Sequence, residues 1–143
     1  AKATKQEAGI LSKYLAEPEQ FEFLPLTDSL FAVPKELVQD VTLLKNLFRI
    51  RYAGIEMGVI NKNDLIPEHT LALSVHVNKQ LPAIQLNKEQ ALQYLRKQDN
   101  LNLDLKELKG WCLMKYENVN LGWVKVLPNR INNYYPKEWR ILK

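Results

Sequence analysis

The sequence predicts an α+β fold in which mixed antiparallel sheets are combined with short helices. Apolar and polar residues alternate over short runs that end at turn residues, which indicates many short, half-buried strands. Three modest segments carry apolar residues at helical spacing instead. Two apolar-rich strands at 111–116 and 121–126, followed by a final strand, are typical of the edge of a small barrel.

The N-terminal elements follow in order. Residues 1–8 are polar and read as a linker, and apolar residues at 10, 11, 14 and 15 indicate a short helix that Pro18 ends. Two strands, 21–26 and 29–33, flank a turn, and residues 36–47 are either a helix or an irregular packed segment. The alternation of apolar and basic residues over 48–52 predicts a half-buried strand. Residues 55–60 predict another strand, in which Gly54 and Gly58 indicate a bulge or a close backbone approach.

The remaining elements suggest a division of the chain. Pro67 is suited to open a helix whose buried stripe is Leu71, Ala72 and Val75. Residues 83–86 predict a short strand, and residues 87–90 form a capping-box-like helix start. Residues 78–82 are predicted to be a loop and are the best candidate for a boundary between modules. The sequence therefore predicts two modules, 1–82 and 83–143.

Positive charge is concentrated at the C-terminal end. The chain of 143 residues has a net charge of +4, yet residues 1–110 contain 14 Lys or Arg and 14 Asp or Glu. The whole excess therefore lies in residues 111–143, which contain six basic and two acidic residues. Localised positive charge favours an anionic partner, although a solvated basic face is an equal alternative on charge alone.

The sequence lacks the motifs that are typical of cofactor-binding loops, metal sites and catalytic sites. No G-x-G occurs, so a glycine-rich cofactor loop is not predicted. His69 and His76 lie seven residues apart with no third ligand nearby, and they are interpreted as ordinary helix residues rather than a metal site. The single cysteine, Cys112, is interpreted as a small buried residue of a strand and suits a reducing compartment. We therefore expect no catalytic residue, no metal and no membrane span, in a cytoplasmic, monomeric protein.

The candidate binding residues are basic, amide and aromatic side chains that can contact phosphates, sugars and bases. The asparagines could instead cap turns, and one of the two adjacent tyrosines should face the core, since neighbouring strand residues point to opposite faces. The three tryptophans are most simply core residues. Arg49 and Arg51 either extend the basic surface or pair with Glu56. The full candidate set is Arg49, Arg51, Lys125, Asn129, Arg130, Asn132, Asn133, Tyr134, Tyr135, Lys137 and Arg140.

The same C-terminal residues carry a resemblance to a known family. Gly110-Trp, Leu121-Gly-Trp-Val-Lys125, Asn129-Arg130, Asn133-Tyr-Tyr-Pro-Lys137 and Trp139-Arg140 resemble the C-terminal PUA-like domain of RsmF/YebU-type rRNA (cytosine-5) methyltransferases of the Sun family. Residues 51–60, 66–74 and 86–95 resemble the segment before that domain and its helix, so the similarity covers about residues 20–143.

The resemblance implies a PUA-like small β-barrel at residues 83–143 that binds structured rRNA. In such enzymes methyl transfer belongs to a preceding domain that binds S-adenosylmethionine and uses two cysteines, and neither feature occurs here. The chain is therefore expected to be the RNA-binding region of a bacterial methyltransferase, without a cofactor of its own, and to position rRNA for the separate catalytic domain. The alternative is a protein-interaction module that docks on the catalytic domain or on ribosomal proteins.

Overall fold

The computed structural model describes residues 2–50, 53–105 and 107–143, which form two compact units, Ala1–Lys79 and Gln80–Lys143. Each unit contains one four-stranded sheet with short helices. The α+β class predicted from the sequence is therefore confirmed. The division falls three residues before the boundary that the sequence suggested at 82/83.

The N-terminal unit is built on an antiparallel meander of β1 (Phe21–Leu26), β2 (Ser29–Pro34), β3 (Ile55–Asn61) and β4 (Asp64–Pro67), paired in that order. The first two strands and their turn lie where the alternating pattern predicted them. Residues of β1 and β2 bury a small apolar core of Leu24, Leu26, Phe31 and Val33. The sequence missed β4, because Pro67 ends that strand instead of opening a helix.

The two glycines near β3 permit the close backbone approach that the sequence indicated. Both have positive φ angles, +78° at Gly54 and +126° at Gly58. A Cβ atom at Gly54 would collide with the carbonyl oxygen of Ala32, and one at Gly58 with that of Ile66. The ladder between β2 and β3 shifts register beside the pairing of Leu30 with Gly58, which is the predicted irregularity.

Three helices belong to this unit: α1 (Lys5–Ser12), α2 (Val38–Leu47) and α3 (His69–Leu73). Residues 5–8 are therefore helical and not linker, because Thr4 and Glu7 form a reciprocal capping box that starts α1. In α3, Leu71 and Ala72 are buried as predicted, whereas Val75 lies beyond the helix end and is 82% exposed. Ser74 ends α3 in an extended conformation, so the helical spacing does not reach Val75.

The strand predicted at 48–52 is wrong for the residues that the structure describes there. Phe48 ends α2 as a 66% exposed residue, and residues 49 and 50 have no regular structure. The strand that pairs with β2 on this side is β3, which begins at Ile55, and residues 48–50 take no part in the ladder. Residues 51 and 52 lie outside the described part of the chain.

The C-terminal unit is a mixed sheet of β5 (Ala83–Gln85), β6 (Gly110–Tyr116), β7 (Val119–Val126) and β8 (Ile131–Asn133), paired in that order. β5 runs parallel to β6, and the other two ladders are antiparallel. In the described residues no ladder joins β5 to β8, and the strands pair as one four-stranded sheet.

Helix α4 (Lys88–Leu95) packs on this sheet. Asn87 caps it with Gln90 in the reciprocal box that the sequence predicted. Ala91 is buried, and the most buried residue of the helix is Tyr94, which is 0% exposed. Within the described ranges no helix is long and apolar enough to cross a bilayer.

Candidate nucleic-acid interface

The strand registers of the C-terminal unit divide its sheet into two faces. Opposed residues of antiparallel strands share a face, and neighbours along a strand alternate. One face carries Cys112, Met114, Val124, Val126 and Ile131, which form a buried core cluster with Ala91 and Tyr94 of α4. The other face carries Trp111, Lys125 and Asn132 in a single row, because Lys125 is paired with both of the others.

Tyr134 follows β8 on that second face and completes a group that we call the cation–aromatic row: Trp111, Lys125, Asn132 and Tyr134. The Nζ atom of Lys125 lies 5.3 Å from the centre of the Trp111 ring. The Tyr134 ring meets the Trp111 ring edge to face, with centroids 4.5 Å apart and planes at 68°. Cation–π and aromatic contacts of this kind each contribute about 0.5–2 kcal/mol, so they orient the side chains of the row.

The row offers the chemical groups that an unpaired nucleotide requires. Tyr134 is 38% exposed, and Lys125 and Asn132 are half-buried, so a cation, an amide and an aromatic ring reach solvent together. Trp111 is only 7% exposed, and its indole Nε1 has no hydrogen-bond partner in the described residues. Trp111 was predicted to be a core residue; it is buried, and it also orients two candidate binding residues.

Asn133 has a structural role in place of the predicted binding role. Its side-chain Nδ2 donates to the carbonyl oxygens of Tyr94 at 2.9 Å and Gln98 at 3.1 Å, and its Oδ1 accepts from the backbone N–H of Tyr135 at 2.9 Å. The residue is 6% exposed. Both amide hydrogens are therefore used inside the unit and are not available to RNA. Asn133 thus joins the end of β8 to the end of α4.

The adjacent tyrosines separate as strand alternation requires. Tyr135 turns inward, and its ring lies edge on to that of Tyr94 with centroids 5.5 Å apart. Tyr134 is the outward member of the pair. Of the two residues predicted as stacking candidates, the structure therefore leaves Tyr134 available and uses Tyr135 in packing.

Asn129 and Arg130 lie in the tight connection between β7 and β8. The N–H of Leu127 donates to the carbonyl oxygen of Arg130 at 2.8 Å, which closes this hairpin. Both candidate side chains are exposed, and no ion pair of Arg130 occurs within the described ranges. Arg130 precedes Asn132 by two residues, so the hairpin adds a second cation beside the row.

Lys137 and Arg140 lie in the C-terminal segment, where Lys137 begins a short 3-10 turn and Arg140 follows its last residue. They line a cleft of about 370 Å³ together with Glu138 and Leu142. The segment is held to the end of α4 because the N–H of Ile141 donates to the carbonyl oxygen of Leu95 at 2.9 Å. These two cations are thus exposed and ordered, but they belong to a different part of the unit from the row.

Two basic residues at the end of α4 were not singled out from the sequence. The Nε of Arg96 donates to the carbonyl oxygen of Lys143 at 2.7 Å, and the Nζ of Lys97 donates to that of Asn133 at 2.6 Å. The sequence signal that would have found them is a pair of basic residues directly after the last apolar residue of the predicted helix. The partial negative charge at a helix C-terminus stabilises cations at this position.

Two of the predicted site residues, Arg49 and Arg51, fall in the sequence range of the N-terminal unit. Arg49 is exposed in the N-terminal unit, just after α2. Arg51 lies outside the described residues. The alternative pairing with Glu56 is not made by Arg49, and the Glu56 carboxylate instead accepts a hydrogen bond from the Ser29 hydroxyl at 2.7 Å.

The titratable groups elsewhere show the effects of burial. Burial lowers the pKa of His69 and raises that of the Cys112 thiol, whereas His76 is exposed with its ring edge on to Phe21. Burial, and then the charge of Glu56, raise the pKa of Glu68. In the described part of the chain, no three His, Cys, Asp or Glu side chains are grouped so that they could hold a metal ion.

Comparison with known proteins supports the resemblance seen in the sequence. Residues 81–141 match the family described as the methyltransferase RsmF PUA domain. The chain is 31% identical over 94 residues to a ribosomal RNA small subunit methyltransferase F of Vibrio campbellii, covering 63% of this chain and 20% of that protein. It is 28% identical over 144 residues to the Vibrio parahaemolyticus protein of the same name, covering 96% of this chain and 30% of that protein. The predicted RsmF-type resemblance is confirmed, and the chain spans less than a third of either relative's length.

Proposed function

We propose that this chain is the RNA-binding region of an RsmF-type rRNA methyltransferase, and that its C-terminal unit holds structured RNA through the cation–aromatic row. The observation that carries the proposal is the placement of Lys125, Asn132 and Tyr134 around Trp111 within the segment that matches the RsmF PUA domain. A cation, an amide and an exposed ring on one face suit a polyanion with splayed bases.

Each side chain of the site has a separate task in this proposal. Lys125 and Arg130 contact phosphates, Asn132 and Asn129 donate and accept hydrogen bonds at sugars or base edges, and Tyr134 stacks on an unpaired base. The exposed pair Lys137 and Arg140 gives a second phosphate contact, since the segment that carries both side chains is hydrogen-bonded to the end of α4.

Catalysis is assigned to a separate S-adenosylmethionine-dependent domain, which this region supplies with correctly positioned RNA. Both Vibrio relatives are named as methyltransferases of small-subunit ribosomal RNA, and the family match falls on the PUA domain. We therefore propose small-subunit rRNA as the ligand, bound by a monomer in the cytoplasm, with no reaction catalysed by this chain alone.

The binding proposal is tested with a small-subunit rRNA hairpin titrated over a salt series. Binding should weaken linearly on a log–log plot against salt concentration, because each neutralised phosphate releases counterions. Absence of binding at low salt, or an affinity that does not change with salt, contradicts the proposal.

A charge-deletion pair locates the contact. Lys125→Ala with Arg130→Ala should reduce the magnitude of the salt slope by about 2, while the protein stays folded and loses no more stability than the roughly 0.5–2 kcal/mol of the Lys125–Trp111 contact. The matched control is Lys13→Ala with Lys35→Ala, which removes the same charge from exposed positions of the other unit and should leave the slope unchanged. Equal loss in both pairs would mean that only net charge matters.

A substitution pair at Tyr134 tests stacking separately from charge. Tyr134→Ala should weaken binding to a hairpin with unpaired loop bases by about 1–3 kcal/mol, whereas Tyr134→Phe retains the ring and most of the affinity. A fully paired duplex should bind both variants equally. If Tyr134→Phe and Tyr134→Ala weaken binding equally, the loss comes from the hydroxyl or from a change in local structure, and stacking is disproved.

A further inference from the structure

Helix α2 of the N-terminal unit contacts its own unit along only one narrow side. Val38 and Val41 pack against the core of β1 and β2, and the Nζ of Lys45 donates to the carbonyl oxygen of Pro25 at 3.0 Å. These three positions are spaced three and four apart and define the inner side of the helix. No residue of α2 is fully buried.

The outer side of α2 is apolar and exposed to solvent. Its residues recur at helical spacing along one continuous stripe, which we call the α2 stripe. The exposed fractions are 46% at Leu37, 59% at Leu43, 43% at Leu44, 66% at Leu47 and 66% at Phe48. Soluble proteins rarely expose a contiguous apolar patch of this kind unless it is an interaction site.

We propose that the α2 stripe docks into an apolar groove on the catalytic part of an RsmF-type methyltransferase, and that the groove carries a basic side chain facing Asp40. The alignment with the Vibrio parahaemolyticus protein uses nearly all of this chain and 30% of that relative, so the relative contains a larger part with no counterpart here. Three exposed leucines of α2, together with the exposed residues that cap its two ends, need such a partner surface in order to leave water.

The single acid of the stripe decides between possible occupants. Asp40 is exposed and stands three or four residues from Leu37, Leu43 and Leu44. A polyanion is disfavoured by this carboxylate and by the lack of a cation in the stripe. A second copy of the same stripe would cover Asp40 with apolar side chains and leave the charge without a partner, which is costly. The groove must therefore supply the cation.

The inference rests on the RsmF-type match but not on RNA binding, so failure of the RNA experiments leaves it unaffected. It is tested in a chimera in which this chain replaces the aligned region of the Vibrio parahaemolyticus protein. Leu47→Cys places a thiol in the stripe, and Asn46→Cys is the matched control on the adjacent polar side of α2. The native Cys112 is buried and has a raised pKa, so it should react slowly with an alkylating reagent.

Alkylation at position 47 should be slower by about tenfold or more in the chimera than in the isolated chain, with the rate at position 46 changed by less than about twofold. Adding Leu43→Lys to the chimera should restore fast alkylation at position 47. Equal rates at position 47 in the two proteins would overturn the proposal. So would protection in the isolated chain that increases with its concentration, or protection that requires an rRNA hairpin.

The same comparison is repeated with the rest of the Vibrio parahaemolyticus protein added as a separate polypeptide. Saturable protection of position 47, with position 46 unaffected, supports docking. No protection at any concentration in both formats disproves it.

Discussion

Helices α4 and α2 lie beside similar four-stranded sheets but are held in opposite ways. Helix α4 starts with a reciprocal capping box, and its Tyr94 is completely buried, with the hydroxyl donating to the carbonyl oxygen of Trp123 at 2.8 Å. Helix α2 has no side-chain cap and no fully buried residue, and one side-chain hydrogen bond, from Lys45, joins it to β1. The difference shows that α4 is enclosed in its unit, whereas α2 leaves an apolar side exposed to solvent.

The two units also differ in net charge. Residues 1–79 contain nine basic and ten acidic residues, whereas residues 80–143 contain eleven and six. The C-terminal unit, which contains the enclosed helix α4, is therefore cationic. The N-terminal unit, which contains the exposed helix α2, is close to neutral. Rigid presentation of charge suits RNA, whereas an apolar helix side suits a protein groove.

The strongest test of this contrast is Asn133→Ala in the C-terminal unit. The substitution removes the Asn133 side chain as partner of the Gln98 carbonyl oxygen and the Tyr135 N–H, while the Tyr94 carbonyl oxygen still accepts from the Lys97 N–H at 2.9 Å. We expect a loss of about 2–4 kcal/mol in the free energy of unfolding, measured by urea denaturation. The control Asn132→Ala, on the outer face, should cost less than about 0.5 kcal/mol. Similar costs for both would show that the α4–β8 connection does not stabilise the unit.

A second test removes the buried hydroxyl of α4. Tyr94→Phe deletes the hydrogen bond to the carbonyl oxygen of Trp123 while keeping the ring in the core. The expected cost is about 1–2 kcal/mol, seen as a lower urea midpoint with an unchanged slope. A stability equal to that of the wild type would mean that α4 is held by apolar packing alone.

A third test uses pH to separate the units, since both histidines lie in the N-terminal one. Burial lowers the pKa of His69 from its ordinary value of 6.5, so the folded state favours the neutral ring. The stability that this provides is present above pH 6.5 and is lost as the pH falls below it, with a limiting slope of about 1.4 kcal/mol per pH unit for one proton.

His69→Gln should make the free energy of unfolding depend less steeply on pH between about pH 7 and 5.5. Hydrogen exchange of the amides in β3 and β4 measures this free energy. Glu68 acts in the opposite direction because its raised pKa favours the protonated acid in the folded state, so Glu68→Gln should steepen the slope. An unchanged slope in His69→Gln would exclude His69 as the acid-sensitive group.

The smallest effect is expected in the α2 stripe. Leu47→Gln should change the free energy of unfolding of the isolated chain by less than about 0.5 kcal/mol, since the side chain is already 66% exposed. Leu26→Ala, at a 1% exposed core position of the same unit, should cost about 2–5 kcal/mol. A large loss at Leu47 would show that α2 is part of the core, and the docking proposal would lose its basis.

Much of the fold was predictable because its signals are local. The capping box of α4 and the hairpin of β1 and β2 both depend on residues within a few positions of one another. The strand predicted at 48–52 is wrong for the residues that are described, because alternation alone does not make a strand: its backbone must also pair with a neighbouring strand, and residues 48–50 do not.

The candidate site was predictable in composition but not in arrangement. Alternation required that one of Tyr134 and Tyr135 face inward, but only the register of β7 with β8 and the contacts of both rings decide which one does. Asn133 could cap a turn or bind a ligand as far as its neighbours indicate. Its partner Tyr94 is 39 residues away, so its structural role could not be seen locally.

The sequence alone determined the short elements, the position of the excess positive charge and the resemblance to the RsmF PUA domain, because these depend on residue type and short spacing. Only the tertiary structure decided that Lys125 lies over Trp111, that Asn133 is enclosed and that the outer side of α2 stays exposed. The physical reason is that burial depends on contacts between residues far apart in the chain, and local periodicity does not record which faces those contacts cover.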